Sequence, residues 1–152
     1  MTIDTITLTN ITQSQNSLMS AKNCKIDIEG MNLTSAIISN VDEIFYVYDS
    51  SILSLTNSYF SSFNSRLISI TDSTLQMEAT TVTTTSLVGG NTPETGTAVF
   101  AQNSNVIATG CTFELLQATG SGTAIYIVQG INERKISVKQ LQLSETNLIS
   151  NY

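Results

Sequence analysis

The feature that most constrains this chain is a recurring pattern of two apolar residues two places apart. A small or amide residue follows two places later, and a usually apolar residue three places after that. Ile26, Ile28, Gly30 and Leu33 fit it, as do Leu53, Leu55, Asn57 and Phe60. Leu75, Met77, Ala79, Val82 and Val106, Ala108, Gly110, Phe113 fit it again. Weaker copies stand at both ends, Ile6-Leu8-Asn10-Gln13 and Ile136-Val138-Gln140-Leu143. The anchors 6, 26, 53, 75, 106 and 136 are spaced by 20, 27, 22, 31 and 30 residues, a mean of 26. Period-two alternation with many β-branched residues reads as strands, and no run of helical spacing interrupts it. A unit of this size cannot bury its apolar side alone, but stacked units can.

The segment before each anchor repeats too. Leu18-Met19-Ser20-Ala21, Phe45-Tyr46-Val47-Tyr48, Leu67-Ile68-Ser69-Ile70 and Ala98-Val99-Phe100-Ala101 begin eight residues upstream, each followed by a polar turn. Ala124-Ile125-Tyr126-Ile127 is a fifth copy. The pattern predicts an all-β, right-handed, single-stranded parallel β-helix of about six rungs, the hand following the general preference of parallel crossovers. Residues 1–152 form one domain, expected to be a section of a longer repeat array. Small residues or Asn four places after the anchor suit a bend with positive φ. The turn residues Asn23, Ser50, Asp72 and Asn103 are expected to pass side-chain hydrogen bonds from rung to rung.

Composition narrows the function. The formal net charge is −6, with 6 basic and 12 acidic residues. The basic residues are scattered, which argues against nucleic acid as a partner. The longest fully apolar runs, such as Ile44–Tyr48, are far shorter than the roughly twenty residues of a membrane span. The chain has 0 His, so no imidazole can act as base or metal ligand. Cys24 and Cys111 lack the spacing of a zinc site. They are expected to be unpaired, because several rungs separate them. No cofactor and no metal is expected. Two N-glycosylation sequons begin at Asn10 and Asn32.

Gly96-Thr97-Ala98-Val99-Phe100 and Gly122-Thr123-Ala124-Ile125-Tyr126 resemble the Gly-Gly-Ala-Ile strand of right-handed β-helix repeats, with Thr in place of the second Gly. Asn57-Ser58-Tyr59-Phe60 and Gly110-Cys111-Thr112-Phe113 resemble their Asn-Ser-x-Phe bend. The combination is similar to the pectin-lyase-like superfamily, especially repeats of the polymorphic-outer-membrane-protein type and those of large protist surface proteins. The resemblance implies a parallel β-helix in an extracellular or cell-surface protein. It also implies an enzymatic alternative, because many members cleave acidic polysaccharides with clustered Asp, Ca²⁺ and an Arg or Lys base. Asp27, Glu29 and Glu78, with Lys25 beside them, could form a carboxylate cluster on the outer face. Asp27 aligns with Ser54 and Gln76 in the next rungs, so the acids do not stack. The hydrolase motifs of such folds (Asn-Thr-Asp, Asp-Asp, His-Gly, Arg-Ile-Lys) do not occur.

The expected function is therefore a non-catalytic structural or adhesive shaft. Its partners would be protein, either further repeats of the same polypeptide or self-association end to end or laterally, with glycans as a second class. The alternative is a carbohydrate-active, polysaccharide-lyase-like enzyme or its carbohydrate-binding remnant. Leu18, Phe45, Val47, Leu67, Phe100 and Tyr126 are expected to face outward as a protein-contact stripe. A shift of one residue would instead turn Phe45 and Val47 inward and Tyr46 and Tyr48 out.

Overall fold

A computed structural model describes residues 2–3, 17–34, 42–63, 65–83, 97–116, 124–128, 136–139, 142–144 and 149–151. All the regular structure in them is strand. A first short strand, β1 (Thr2–Ile3), precedes a series of three-strand turns. The first is β2 (Ser17–Lys22), β3 (Lys25–Glu29) and β4 (Asn32–Thr34). The second is β5 (Glu43–Tyr48), β6 (Ile52–Thr56) and β7 (Tyr59–Ser61), and the third β8 (Arg66–Thr71), β9 (Thr74–Glu78) and β10 (Thr81–Thr83). Then come β11 (Val99–Gln102), β12 (Asn105–Thr109) and β13 (Thr112–Glu114), followed by β14 (Ile125–Val128), β15 (Ile136–Lys139) and β16 (Gln142–Ser144). A last strand, β17 (Ile149–Asn151), follows.

These strands form three parallel sheets. Sheet 1 runs β1-β3-β6-β9-β12-β15, sheet 2 β4-β7-β10-β13-β16, and sheet 3 β2-β5-β8-β11-β14-β17. Strands of successive turns are hydrogen-bonded neighbours, so the chain is a parallel β-solenoid. Five turns are complete in three strands, and β1 and β17 belong to partial turns at either end.

The anchors stack as read. Ile26, Leu53, Leu75, Val106 and Ile136 are direct partners along sheet 1, as are Ile28, Leu55, Met77, Ala108 and Val138. Leu33, Phe60, Val82 and Phe113 stack along sheet 2 and are fully buried. Sheet 3 supplies Phe45, Ile68, Val99 and Ile125, with Met19 packed at the edge of the same core. Each fully buried Leu, Ile or Phe contributes about 1.5–3 kcal/mol of transfer free energy. The exception lies at the start. Ile3, not Leu8, pairs with Ile28, so the first sheet-1 strand precedes the Ile6 anchor. The first offset is thus 25 residues rather than 20, closer to the mean repeat. Residues 4–16, including Ile6 and Asn10, lie outside the described residues.

Corners form where the backbone enters the left-handed region. Between sheets 1 and 2 the corner residues are Gly30, Asn57, Ala79 and Gly110, all with φ between 47° and 68°. They are the column four places after the anchor. Between sheets 3 and 1, Asn23, Asp72 and Asn103 take φ near 49°. The second turn differs, because both Asp49 (φ 54°) and Ser50 (φ 61°) are left-handed there. This corner holds one extra residue: six positions separate Val47 from Leu53, against five from Ala21 to Ile26 and from Ile70 to Leu75.

That extra residue corrects the expected outward stripe. Met19 pairs with Phe45, and Ala21 with Val47, so Phe45 and Val47 point inward and are 1% exposed. Tyr46 and Tyr48 take the outer positions. Leu67 is also buried, because it belongs to a column with Ile44, Ala98 and Ala124 that turns in at the start of sheet 3. Leu18 is partly buried against the same core. Phe100 and Tyr126 alone of the six occupy the outer face of the sheet.

The hydrogen-bond ladder lies one residue beyond the expected turn column. A left-handed residue throws its own side chain outward, and in the second to fourth turns the next residue turns inward with its polar group away from water. Its hydroxyl then answers a backbone amide one turn away. Cys24 N–H donates to Ser51 Oγ (3.2 Å), Ser51 N–H to Ser73 Oγ (3.1 Å) and Ser73 N–H to Ser104 Oγ (3.2 Å). Ser51, Ser73 and Ser104 are all buried. The corner between sheets 1 and 2 repeats the device at Ser58, while Thr80 Oγ1 donates to Leu55 O of the preceding turn (3.3 Å). Met31 N–H donates to Ser58 Oγ (3.2 Å), and the Cys111 thiol donates to Thr109 O (3.6 Å). Cys24 and Cys111 are both free thiols, at different corners and three turns apart.

Candidate functional site

Among the described residues, two outer faces gather charged side chains into clusters. The first is sheet 3. Its outward central column is Ser20, Tyr46, Ser69, Phe100 and Tyr126. Ser69 is small, and the Arg66 side chain occupies the space above it. Arg66 Nη1 donates to Ser69 Oγ at 3.2 Å, and Ser69 Oγ donates to Glu43 Oε2 at 3.3 Å. The guanidinium also lies over the Phe100 ring, 4.8 Å from its centroid, and Phe100 stacks on Tyr126 at 5.8 Å. Glu43, Ser69, Arg66, Phe100 and Tyr126 therefore form one line along the solenoid axis, crossing four turns. Nearby, Tyr46 stacks on Tyr48 at 4.9 Å, and Lys22 caps Tyr48 at 5.6 Å while pairing with Asp49 at 3.2 Å.

The electrostatics follow from partial burial. Burial raises the Glu43 carboxyl above its ordinary range, against the opposing pull of Arg66 and the Ser69 hydrogen bond. Burial likewise lowers Arg66, which stays cationic at any physiological pH. The rings on this face are stacked on one another or capped by cations. Each such contact is worth about 0.5–1.5 kcal/mol. The stacking spends ring faces on axial neighbours within the protein.

The second face is the outside of sheet 1. A shallow trough of about 270 Å³ is lined there by Ser54, Thr56, Gln76, Glu78, Ile107 and Thr109 together with Leu55 and Met77. Asp27 pairs in register with Ser54, and Ser54 with Gln76, so the acid does not repeat along its column. Lys25 Nζ meets Asp27 Oδ2 at 2.9 Å, and this contact, with the Ser54 hydroxyl, holds Asp27 below its ordinary carboxylate value. Glu29 and Glu78 share a column with Thr56 between them, which separates the two strands by about 9.6 Å. That is a solvated polar face on which the acids stay apart. Among the described residues no three His, Cys, Asp or Glu side chains gather as a metal site. No helix among them is long and apolar enough to cross a membrane.

Sequence reasoning placed Phe100 and Tyr126 on the outer face but missed Glu43, Arg66 and Ser69. One signal was available: Ser69 interrupts a run of large residues in the outward column, leaving room for a long side chain from its own strand. Of the two sequons, Asn32 lies on the outer face of sheet 2 and is exposed. No family model, no curated protein and no solved structure matches this chain.

Proposed function

We propose that this chain is a non-catalytic structural shaft, a section of a larger extracellular or cell-surface protein of pectin-lyase-like β-helix type. It would hold distance and present its sides to other protein chains. The supporting observation is where the outward polar and aromatic groups spend their contacts. Glu43, Ser69, Arg66, Phe100 and Tyr126 bind one another along the axis, and so tie successive turns together. The buried Ser51, Ser73 and Ser104 hydroxyls do the same at a corner. An arrangement that depends only on nearest-neighbour turns can be extended by adding turns. It suits a load-bearing rod.

The carbohydrate-active reading draws its support from the sheet-1 trough, whose hydroxyl, amide and carboxylate lining suits a polyol. One experiment separates the readings. The protein is incubated with acidic and neutral polysaccharides, with and without Ca²⁺, and both chain scission and binding are measured. The shaft reading expects neither, together with a high unfolding force when single molecules are pulled along the axis. Release of shortened or unsaturated oligosaccharides would overturn it.

A further inference from the structure

We infer that Asn32 is an N-glycan attachment site and that Tyr59, on the neighbouring turn, is the platform on which the first sugar rests. The inference rests on the extracellular part of the proposed function, and it adds a covalent ligand and a receptor residue to a face that the shaft argument does not use. Asn32-Leu33-Thr34 is strand β4, and its alternation is fully determined: Leu33 is buried, so Asn32 and Thr34 both face outward. Asn32 is exposed, and β4 is the terminal described strand of sheet 2, with β7 on one side. The carboxamide is thus open to solvent.

The second observation is Tyr59. It is the direct register partner of Asn32, about 4.8 Å away across the ladder. Phe60, beside it, is buried, so the Tyr59 ring projects on the same side as Asn32. Tyr59 is 41% exposed, and it and Leu115 are the exposed large hydrophobic side chains among the described residues. Leu115 is explained by its backbone, since φ of 53° turns it out while Leu116 packs inward. Tyr59 has no such cause. On sheet 3 the outward rings are stacked or capped, whereas this ring stands next to a sequon. An N-acetylglucosamine on Asn32 would lay its C–H face and acetyl methyl on the Tyr59 ring, burying apolar surface that is otherwise wet.

The attachment is a group transfer from a lipid-pyrophosphate-linked oligosaccharide in a secretory compartment. The Asn32 amide nitrogen bonds to the anomeric carbon, and the carbon–oxygen bond to pyrophosphate breaks. Pyrophosphate leaves with that electron pair, and the nitrogen gives up one proton to base. The Thr34 hydroxyl is the acceptor sequon's recognition element.

The test is to secrete the full 152-residue chain from a glycosylation-competent eukaryotic host behind an added signal. Occupancy is then read by peptide mass, which separates Asn32 from Asn10. Thr34→Ala, which keeps Asn32, should abolish the Asn32 glycan. Trimmed to a single N-acetylglucosamine, the parent should melt about 2–4 °C above the Thr34→Ala protein. It should also show an upfield-shifted acetyl methyl. In a Tyr59→Ser background both the melting gain and the ring-current shift should vanish, while occupancy remains. A secreted parent with bare Asn32 would overturn the site, and a gain that survives Tyr59→Ser would overturn the platform. Polysaccharide cleavage by a chain glycosylated at Asn32 would instead sink the shaft reading and leave this inference standing.

Discussion

The backbone amide of Ser51 donates to the side-chain oxygen of Ser73, 22 residues later and one turn along the axis, at 3.1 Å, with both residues buried. Neither residue's polar atom can reach water, so each depends on the other turn. The link is one of three in a file that runs from Cys24 to Ser104.

Ser73→Ala removes the acceptor and strands the Ser51 amide. An unsatisfied buried amide costs about 1–3 kcal/mol, and in a chain of this length each kcal/mol is worth roughly 2–4 °C of melting temperature. Ser54→Ala, on the outer face, is the comparison and should change stability by less than about 0.5 kcal/mol. Equal effects in thermal melts would mean that the file of hydroxyls does not hold the turns together.

Ala79 stands in the left-handed region at φ 47°, where the equivalent residues of other turns are Gly30, Asn57 and Gly110. A left-handed conformation costs an alanine about 1–2 kcal/mol. Ala79→Gly relieves that strain but loosens the unfolded chain, for a net gain of about 0.5–1 kcal/mol. Gly110→Ala should lose a similar amount. A Cβ there would meet Ala79 N at 3.9 Å, an ordinary contact, so the loss comes from backbone strain rather than a clash. Denaturant unfolding of both variants checks the pair, and the same sign for both would contradict it.

Glu43 makes stability depend on pH in an unusual direction. Burial raises its carboxyl above the ordinary value of 4.5. The folded protein then holds this proton more tightly than the unfolded chain does. The group's contribution is full below pH 4.5 and declines as pH rises through the folded value. Asp27 has the opposite sign, losing stability as pH falls below its ordinary 3.8, so the two windows do not overlap. Glu43→Gln keeps an acceptor for Ser69 and cannot ionise. It should match the parent near pH 4 and melt higher at pH 7. A difference that does not vary with pH would show that the Glu43 charge is not the cause.

The two thiols differ by environment. Cys24 is exposed, whereas Cys111 is fully buried and burial raises its thiol. A thiol reagent should modify one cysteine per folded chain and two in denaturant, because the thiolate is the reactive form and the reagent must reach it. Rapid modification of both in the folded protein would mean that the corner holding Cys111 opens readily.

What the amino-acid sequence determines by itself is the stacking of its inward columns. Ile26, Leu53, Leu75, Val106 and Ile136 could be aligned from spacing alone, because a parallel stack puts like on like and only apolar residues tolerate the interior. The corner positions at Gly30, Asn57, Ala79 and Gly110 were legible for a related reason, since few residue types accept a left-handed backbone. Tertiary structure decided the side on which Phe45 and Val47 lie. A strand changes face with every residue, so the one extra residue at Asp49–Ser50 reverses the assignment, and only the pairing of β5 with β2 and β8 registers it. It also decided the course of Arg66. A long side chain has many rotamers, and its place over Ser69 and against Phe100 is chosen by neighbours 3 and 34 residues away that converge only when the turns are stacked.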